Sequence, residues 1–182
     1  NHKHGVIFKK YVAIFLCLCL QLRTYRIRSA DADLPFELCD IKGLEPDKIS
    51  ECQTDDIVNT VYGHVKEGYK FEERSLTSDD EHYNQKPSLS DQAFCLVYII
   101  DASTIQLCAE DKIITEKLRL IRQTISDKGI PQVIVMSKVD KACPLVKNDL
   151  KMVYRSRIIK ERVSHLILYT CCMLFSVVLQ TI

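Results

Sequence analysis

Phe94-Cys95-Leu96-Val97-Tyr98-Ile99-Ile100 is an unbroken apolar run that stops at Asp101-Ala102-Ser103. Its length suits a strand, and its lack of alternation suits one covered on both faces, as in a parallel sheet. Glu110 to Lys128 follows, with Ile113, Ile114, Leu118, Ile121 and Ile125 on one helical stripe that Lys117 interrupts. Gly129 suits the position just past a helix end, and Pro131 prevents continuation. Gln132-Val133-Ile134-Val135-Met136 then reads as another apolar strand. Strand, helix, strand in that order is a βαβ unit, whose crossover is right-handed. The fold class is α/β.

Outward from this unit the pattern continues. Thr24 to Arg28 alternates, a polar stretch runs from Ser29 to Asp33, and Leu34–Cys39 reads as a strand beside the first. Thr54-Asp55-Asp56 supplies cap-type residues ahead of Ile57, Val58, Val61 and Tyr62, which are spaced for a helix. Lys66 to Asp91 is polar and irregular, punctuated by Pro87, and is expected to be a long surface connection. Loops of that length in compact domains are usually functional or mobile. A final helix is expected from Leu145 to Val163. Residues 24–163 together read as one doubly wound parallel α/β domain, and the chain length allows little more than one.

The ends differ from the middle. Tyr11 to Leu20 is apolar behind Lys9 and Lys10, like the core of a signal peptide, but no small-residue cleavage site follows. A buried strand or helix, or sequence foreign to the domain, is the preferred reading of residues 1–23. Residues 164–182 form an apolar tail. Leu166 to Ile182 carries no charge, and as a helix it would reach about 26 Å, short of the roughly 30 Å hydrocarbon core. It is read as a buried strand or a sticky tail before a membrane anchor. Position 1 is Asn, and the chain reads as an incomplete product.

The net charge of +1 among 182 residues argues against an electrostatic nucleic-acid binder. Nine cysteines occur without CxxC or zinc-finger spacing, which points to reduced thiols rather than a disulfide framework or a metal site. His2-Lys3-His4 reads as a fortuitous terminal metal binder. No GxSxG or HExxH pattern is present.

Two short motifs stand where apolar strands end. Asp40-Ile41-Lys42-Gly43 has the form DxxG, and Ser137-Lys138-Val139-Asp140 has the form [ST]KxD. Ligands of open α/β sheets bind beyond the carboxyl ends of the strands. Asp140 suits bidentate acceptance from the ring N–H and amine of guanine, Lys138 suits the base plane and ribose, and Ser137 suits tying the loop to its neighbours. Asp40 suits Mg²⁺, and a Gly43 N–H suits a terminal phosphate. The bland alternatives are a solvated Lys–Asp pair on a turn, and an aspartate that merely forms one. Leu44 offers no polar group to orient water, and no GxxxxGK[ST] occurs anywhere. No catalytic residue is assigned. Asp101 is read as structural. The expectation on which the rest depends is that Asp40 and Asp140 stand on adjoining parallel strands at one rim of one sheet.

The order of these patterns resembles the interferon-induced protein 44 family, GTPase-like proteins of the vertebrate antiviral response. The likeness spans roughly Thr24 to Arg162. It rests on Pro35-Phe36-Glu37-Leu38-Cys39-Asp40 through Gly43-Leu44-Glu45, Asp55-Asp56-Ile57, Gly63-His64-Val65, Gly68-Tyr69-Lys70-Phe71, Pro87-Ser88-Leu89, Phe94–Tyr98 into Asp101-Ala102-Ser103, and Met136–Asp140. The resemblance implies a P-loop-GTPase-like domain in a cytoplasmic immune-response protein, with GTP or GDP and Mg²⁺ as ligands. Asp40 and Gly43 match its metal and phosphate motif, and Lys138 and Asp140 its base motif. The chain departs from the family in lacking the phosphate-loop unit upstream and the last strand and helices after Arg162, as a truncated or alternatively spliced member would. Without the loop, nucleotide affinity is expected to be weak or absent, and function to run through unidentified protein partners that meet Lys66–Asp91. The alternatives are a GTPase completed by residues or a partner outside this chain, and an adaptor anchored by its tail.

Overall fold

The structure, a computed structural model, describes residues 9–15, 21–28, 33–41, 51–71, 74–104, 112–170 and 176–178. Gly43, Leu44 and His2-Lys3-His4 lie outside the described residues, as does the start of the helix expected from Glu110. The elements run β1 (Lys9–Phe15), β2 (Arg23–Arg28), β3 (Asp33–Ile41), α1 (Glu51–Val61), β4 (Cys95–Asp101), α2 (Lys112–Ser126), β5 (Gln132–Ser137), α3 (Val139–Ala142), α4 (Pro144–Asn148), a 3₁₀ turn (Leu150–Arg155), α5 (Arg157–Thr170) and β6 (Ser176–Val178).

One six-stranded sheet has the order β2-β3-β1-β4-β5-β6. Every neighbouring pair is parallel except β2 with β3. The expected all-parallel sheet is therefore corrected to a mixed one. The cause is local: only residues 29–32 join β2 to β3, and a link that short makes a hairpin, whereas a parallel pair needs a long crossover. β1, from the segment read as lying outside the domain, sits in the middle of the sheet. Its register pairs Val12 with Cys39 on one side and Leu96 on the other. Tyr11-Val12-Ala13 supplies the apolar, partly β-branched content that a strand buried between two neighbours requires.

One face of the sheet carries the main core. Val12, Cys39, Leu96, Tyr98, Ile100, Ile134 and Met136 share that face by register and alternation. All join one buried cluster with Ile57 and Val61 of α1, Ile121 and Ile125 of α2 and Ile159 of α5. α1 touches α2, and α2 touches α5. The alternate residues Val97, Ile99, Val133 and Val135 are half-buried and stand outside that cluster. Ala13 and Cys95 are buried on that second face, but among the described residues the helices of the main cluster pack on the first, where helices on both were expected.

Several boundaries move. Thr54-Asp55-Asp56 lies inside α1 rather than ahead of it, and Thr60 Oγ1 donates to the Asp56 carbonyl at 2.7 Å. Just past the end of α1 stands Gly63, whose φ of +82° lets His64 N reach back to Asn59 O at 2.8 Å. A Cβ at Gly63 would stand 2.7 Å from the Asp91 carbonyl carbon. α2 buries Ile114, Ile121 and Ile125 but turns Ile113 outward, 57% exposed. The single helix expected over Leu145–Val163 is instead α4, the 3₁₀ turn and the start of α5. Asp149 and Ser156 are extended at the breaks, and the Asp149 side chain accepts from Lys151 N.

Lys66–Asp91 is not a plain surface connection. Tyr69, Phe71 and Leu76 are buried in the main cluster. Its anchor is Asp56, buried on α1, which accepts from Tyr69 Oη and Leu76 N, each at 2.9 Å. Burial pushes the Asp56 carboxyl above its ordinary value, against the pull of those two donors. Gln21 and Thr24 add bonds to this segment from the β2 side, including Thr24 Oγ1 to Glu67 Oε2 at 2.6 Å.

The tail does not form one helix: Leu166–Thr170 closes α5, and Ser176–Val178 pairs with β5 as β6. Among the described residues no helix is long and apolar enough to cross a membrane. Cys39, Cys95 and Cys143 are free and buried.

Candidate functional site

Strand order reverses between β1 and β4. The connection after β1 leads to β2 and β3 on one side, and the one after β4 leads to β5 on the other. At such a switch point the carboxyl ends of the strands leave a crevice, the usual ligand position in open α/β sheets. Asp40 near the end of β3, Asp101 at the end of β4, and Ser137 at the end of β5 all stand at this rim. Asp140 follows in the first turn of α3, where helix N-termini favour negative charge.

Asp40 and Asp140 therefore share a rim, as expected, but their strands do not adjoin. β1 and β4 intervene, so β3 and β5 stand about 14 Å apart at ordinary strand spacing. A ligand touching both must lie across the switch point, along the crevice rather than in one loop.

The β5 end is the better built half. Ser137 Oγ donates to Ile100 O at 3.3 Å, and Ala102 N donates to Ser137 O at 2.9 Å, which locks the loop after β5 to the end of β4. Lys138 has φ of +53°, a left-handed conformation that costs a side-chain-bearing residue about 1 kcal/mol. Strain of this kind persists where surrounding structure enforces it, and it concentrates at binding and switch regions. Lys138 Nζ reaches Asp101 Oδ2 at 2.7 Å. Asp101 Oδ1 in turn accepts from Ser103 N at 2.8 Å and Ser103 Oγ at 2.5 Å. Partial burial raises the Asp101 carboxyl, but the Lys138 ammonium and the Ser103 donors outweigh it and hold it below its ordinary value. The partnership of Asp101 with the base-motif lysine was missed in the sequence, where only its place at the end of the strongest strand marked it. Arg162 of α5 adds a bond from Nη1 to Ala102 O, fixing the same loop from the helix side.

The β3 end is sparser. Asp40 Oδ1 is sealed from solvent with no hydrogen-bond partner. An orphaned carboxylate oxygen suits a hard cation, which takes oxygen ligands. The phosphate half of a nucleotide fits poorly. The chain leaves β1 as Leu16-Cys17-Leu18-Cys19-Leu20-Gln21-Leu22 and is already β2 at Arg23. That stretch has none of the glycines, lysine or hydroxyl that cradle phosphates, and no length for a following helix. Among the described residues no His, Cys, Asp and Glu group is arranged to hold a metal ion by itself.

No protein-family model matches the chain. Three relatives do. Human interferon-induced protein 44 is 31% identical over 143 residues, 77% of this chain and 32% of the relative. The mouse protein of that name is 28% identical, again over 77% of this chain and 33% of its own length. Human interferon-induced protein 44-like is 27% identical over 71% of this chain and 28% of the relative. The chain thus spans about a third of the length of the curated relatives it matches. Agreement at this level over most of the chain makes it a member of the interferon-induced protein 44 family.

Proposed function

We propose that this chain is a GTPase-like, interferon-induced immune-response protein of the cytoplasm that works through protein contacts rather than catalysis. Its family supports the interferon-induced, immune-related part. The observation that carries the rest is the contrast at the rim. A base-motif loop, locked by Ser137 and Lys138, stands two strands away from a central strand followed by an apolar segment without phosphate donors. In nucleotide sites of this kind the backbone donors and lysine at the β- and γ-phosphates supply most of the hold and the charge stabilisation. Base contacts alone leave the triphosphate unneutralised. Moreover, Lys138 is engaged by Asp101, so laying it along a guanine plane requires breaking that pair.

Isothermal titration with GTP and Mg²⁺ tests this reading. No heat of binding in the micromolar range is expected, and a micromolar dissociation constant would refute it.

A second reading is favoured by the orphaned Asp40 Oδ1: guanine nucleotide and Mg²⁺ bind at this rim when phosphate donors come from outside the chain. A reading frame extended upstream would then encode GxxxxGK[ST]. The longer protein would bind GTP, and Asp140→Ala would abolish that binding.

A further inference from the structure

The charge of this chain is balanced in total but not in distribution. From Lys141 to Arg162 there are seven lysines and arginines against two acidic residues, Asp149 and Glu161, in a chain of net charge +1. Arg162 turns inward to Ala102 O, while Lys141, Lys147, Lys151, Arg155, Arg157 and Lys160 are exposed. Between them stand Leu145, Leu150, Tyr154 and Ile158, which are 56%, 41%, 93% and 41% exposed. Val146, Val153, Ser156 and Ile159 are buried and hold the segment to the core. Pinned at those points, α4, the 3₁₀ turn and the start of α5 present most of their other residues to solvent.

We propose that this surface docks on an anionic phospholipid bilayer. Basic side chains interleaved with exposed aliphatic and aromatic ones are the composition of interfacial segments, whose apolar groups enter the headgroup boundary while their charges meet lipid phosphates. Tyr154 fits such a boundary, with an apolar ring and a polar tip. Nucleic acid is disfavoured as the occupant, because stacking on bases uses aromatic rings and leaves Leu145, Leu150 and Ile158 without a role. A peptide is disfavoured because peptides seat in grooves. Two clefts among the described residues, of about 290 Å³ beside Tyr69, Arg74 and His82 and of about 390 Å³ beside Tyr62, His64 and Lys128, take no residue from this segment. A flat, negatively charged lipid surface satisfies both the charges and the apolar groups.

The chain contains no tryptophan, so Tyr154→Trp places a single reporter at the most exposed of these apolar positions. Its emission is expected to shift to the blue on adding vesicles of phosphatidylcholine mixed with phosphatidylserine, and to stay unchanged with phosphatidylcholine alone. Raising the salt should reverse the shift, since screening at high ionic strength removes the attraction. In vesicle flotation of the full chain, Lys151→Gln and Arg155→Gln should each weaken binding about five-fold. Both positions are exposed, so an unchanged circular dichroism spectrum is expected to accompany that loss. Indole emission that stays unshifted in the Tyr154→Trp variant overturns the proposal. So does equal binding to neutral and anionic vesicles, which would point to the apolar tail, or a response of the reporter to single-stranded RNA with none to vesicles. GTP titration is independent of all these outcomes, so failure here is separable from failure of the proposed function.

Discussion

Leu96, Tyr98 and Ile100 on one side of β4 and Val97 and Ile99 on the other are equally apolar in sequence, yet only the first three enter the core beneath α1, α2 and α5. The same division runs through β5, where Ile134 and Met136 are buried and Val133 and Val135 half-covered. A parallel sheet ordinarily needs both faces covered, because its crossover helices cover both. Here only residues 16–22 join β1 to β2, fewer than the dozen or more that a crossover takes. The candidate site falls on the same divide. Asp40, Asp101 and Ser137 alternate with the core residues of their strands and therefore belong to the less covered side.

Substitutions on the two faces put that comparison at risk. Leu96→Ala removes a fully buried side chain from the covered face, and urea unfolding should show a loss of about 3 kcal/mol. Next in size is Asp56→Ala, which strands Tyr69 Oη and Leu76 N without an acceptor; a loss of about 2 kcal/mol is expected by the same measurement. Val97→Ala, the nearest neighbour of Leu96 but on the other face, should cost about 1 kcal/mol. Equal losses at positions 96 and 97 would mean that both faces are sealed. Asp101→Ala breaks an ion pair whose lysine is 44% exposed, so the stability change should be only about 0.5 kcal/mol.

The dependence on pH separates two carboxylates. Asp56 has a raised folded-state value, so its unfolded form gives up its proton first. Its contribution is largest below the ordinary 3.8 and declines as pH rises through the folded value. Asp101 is held low, so its contribution is present above 3.8 and is lost as pH falls through its folded value. Urea midpoints measured across acid pH for Asp56→Asn and Asp101→Asn should therefore differ from the parent with opposite slopes.

Much of the β4–α2–β5 unit was legible because its signals are local. The apolar run, the helical stripe ending at Gly129, and Pro131 each act within a few residues. β1 was harder to read, since a short apolar run fits a buried strand, a helix or a targeting core equally well, and only its neighbours decide. The rim motifs were legible as residue types after strand ends. Their geometry was not: Lys138 and Asp101 lie 37 residues apart, and the left-handed turn that joins them leaves no compositional mark. In the sequence Asp56 reads as a helix cap, because capping is a common local use of aspartate beside a helix. Its real partners, Tyr69 and Leu76, arrive from a segment whose polar composition hid its buried residues.

The amino-acid sequence by itself determined the α/β class, the strand-end position of both motifs, and the family, because each rests on residue identity or short-range periodicity. Tertiary structure alone decided that β1 is the central strand, that helices pack on one face, and that β1 and β4 separate Asp40 from Asp140. These follow from which chain segments bury which apolar surfaces against one another. That choice depends on the whole sheet at once and is written in no single stretch of it.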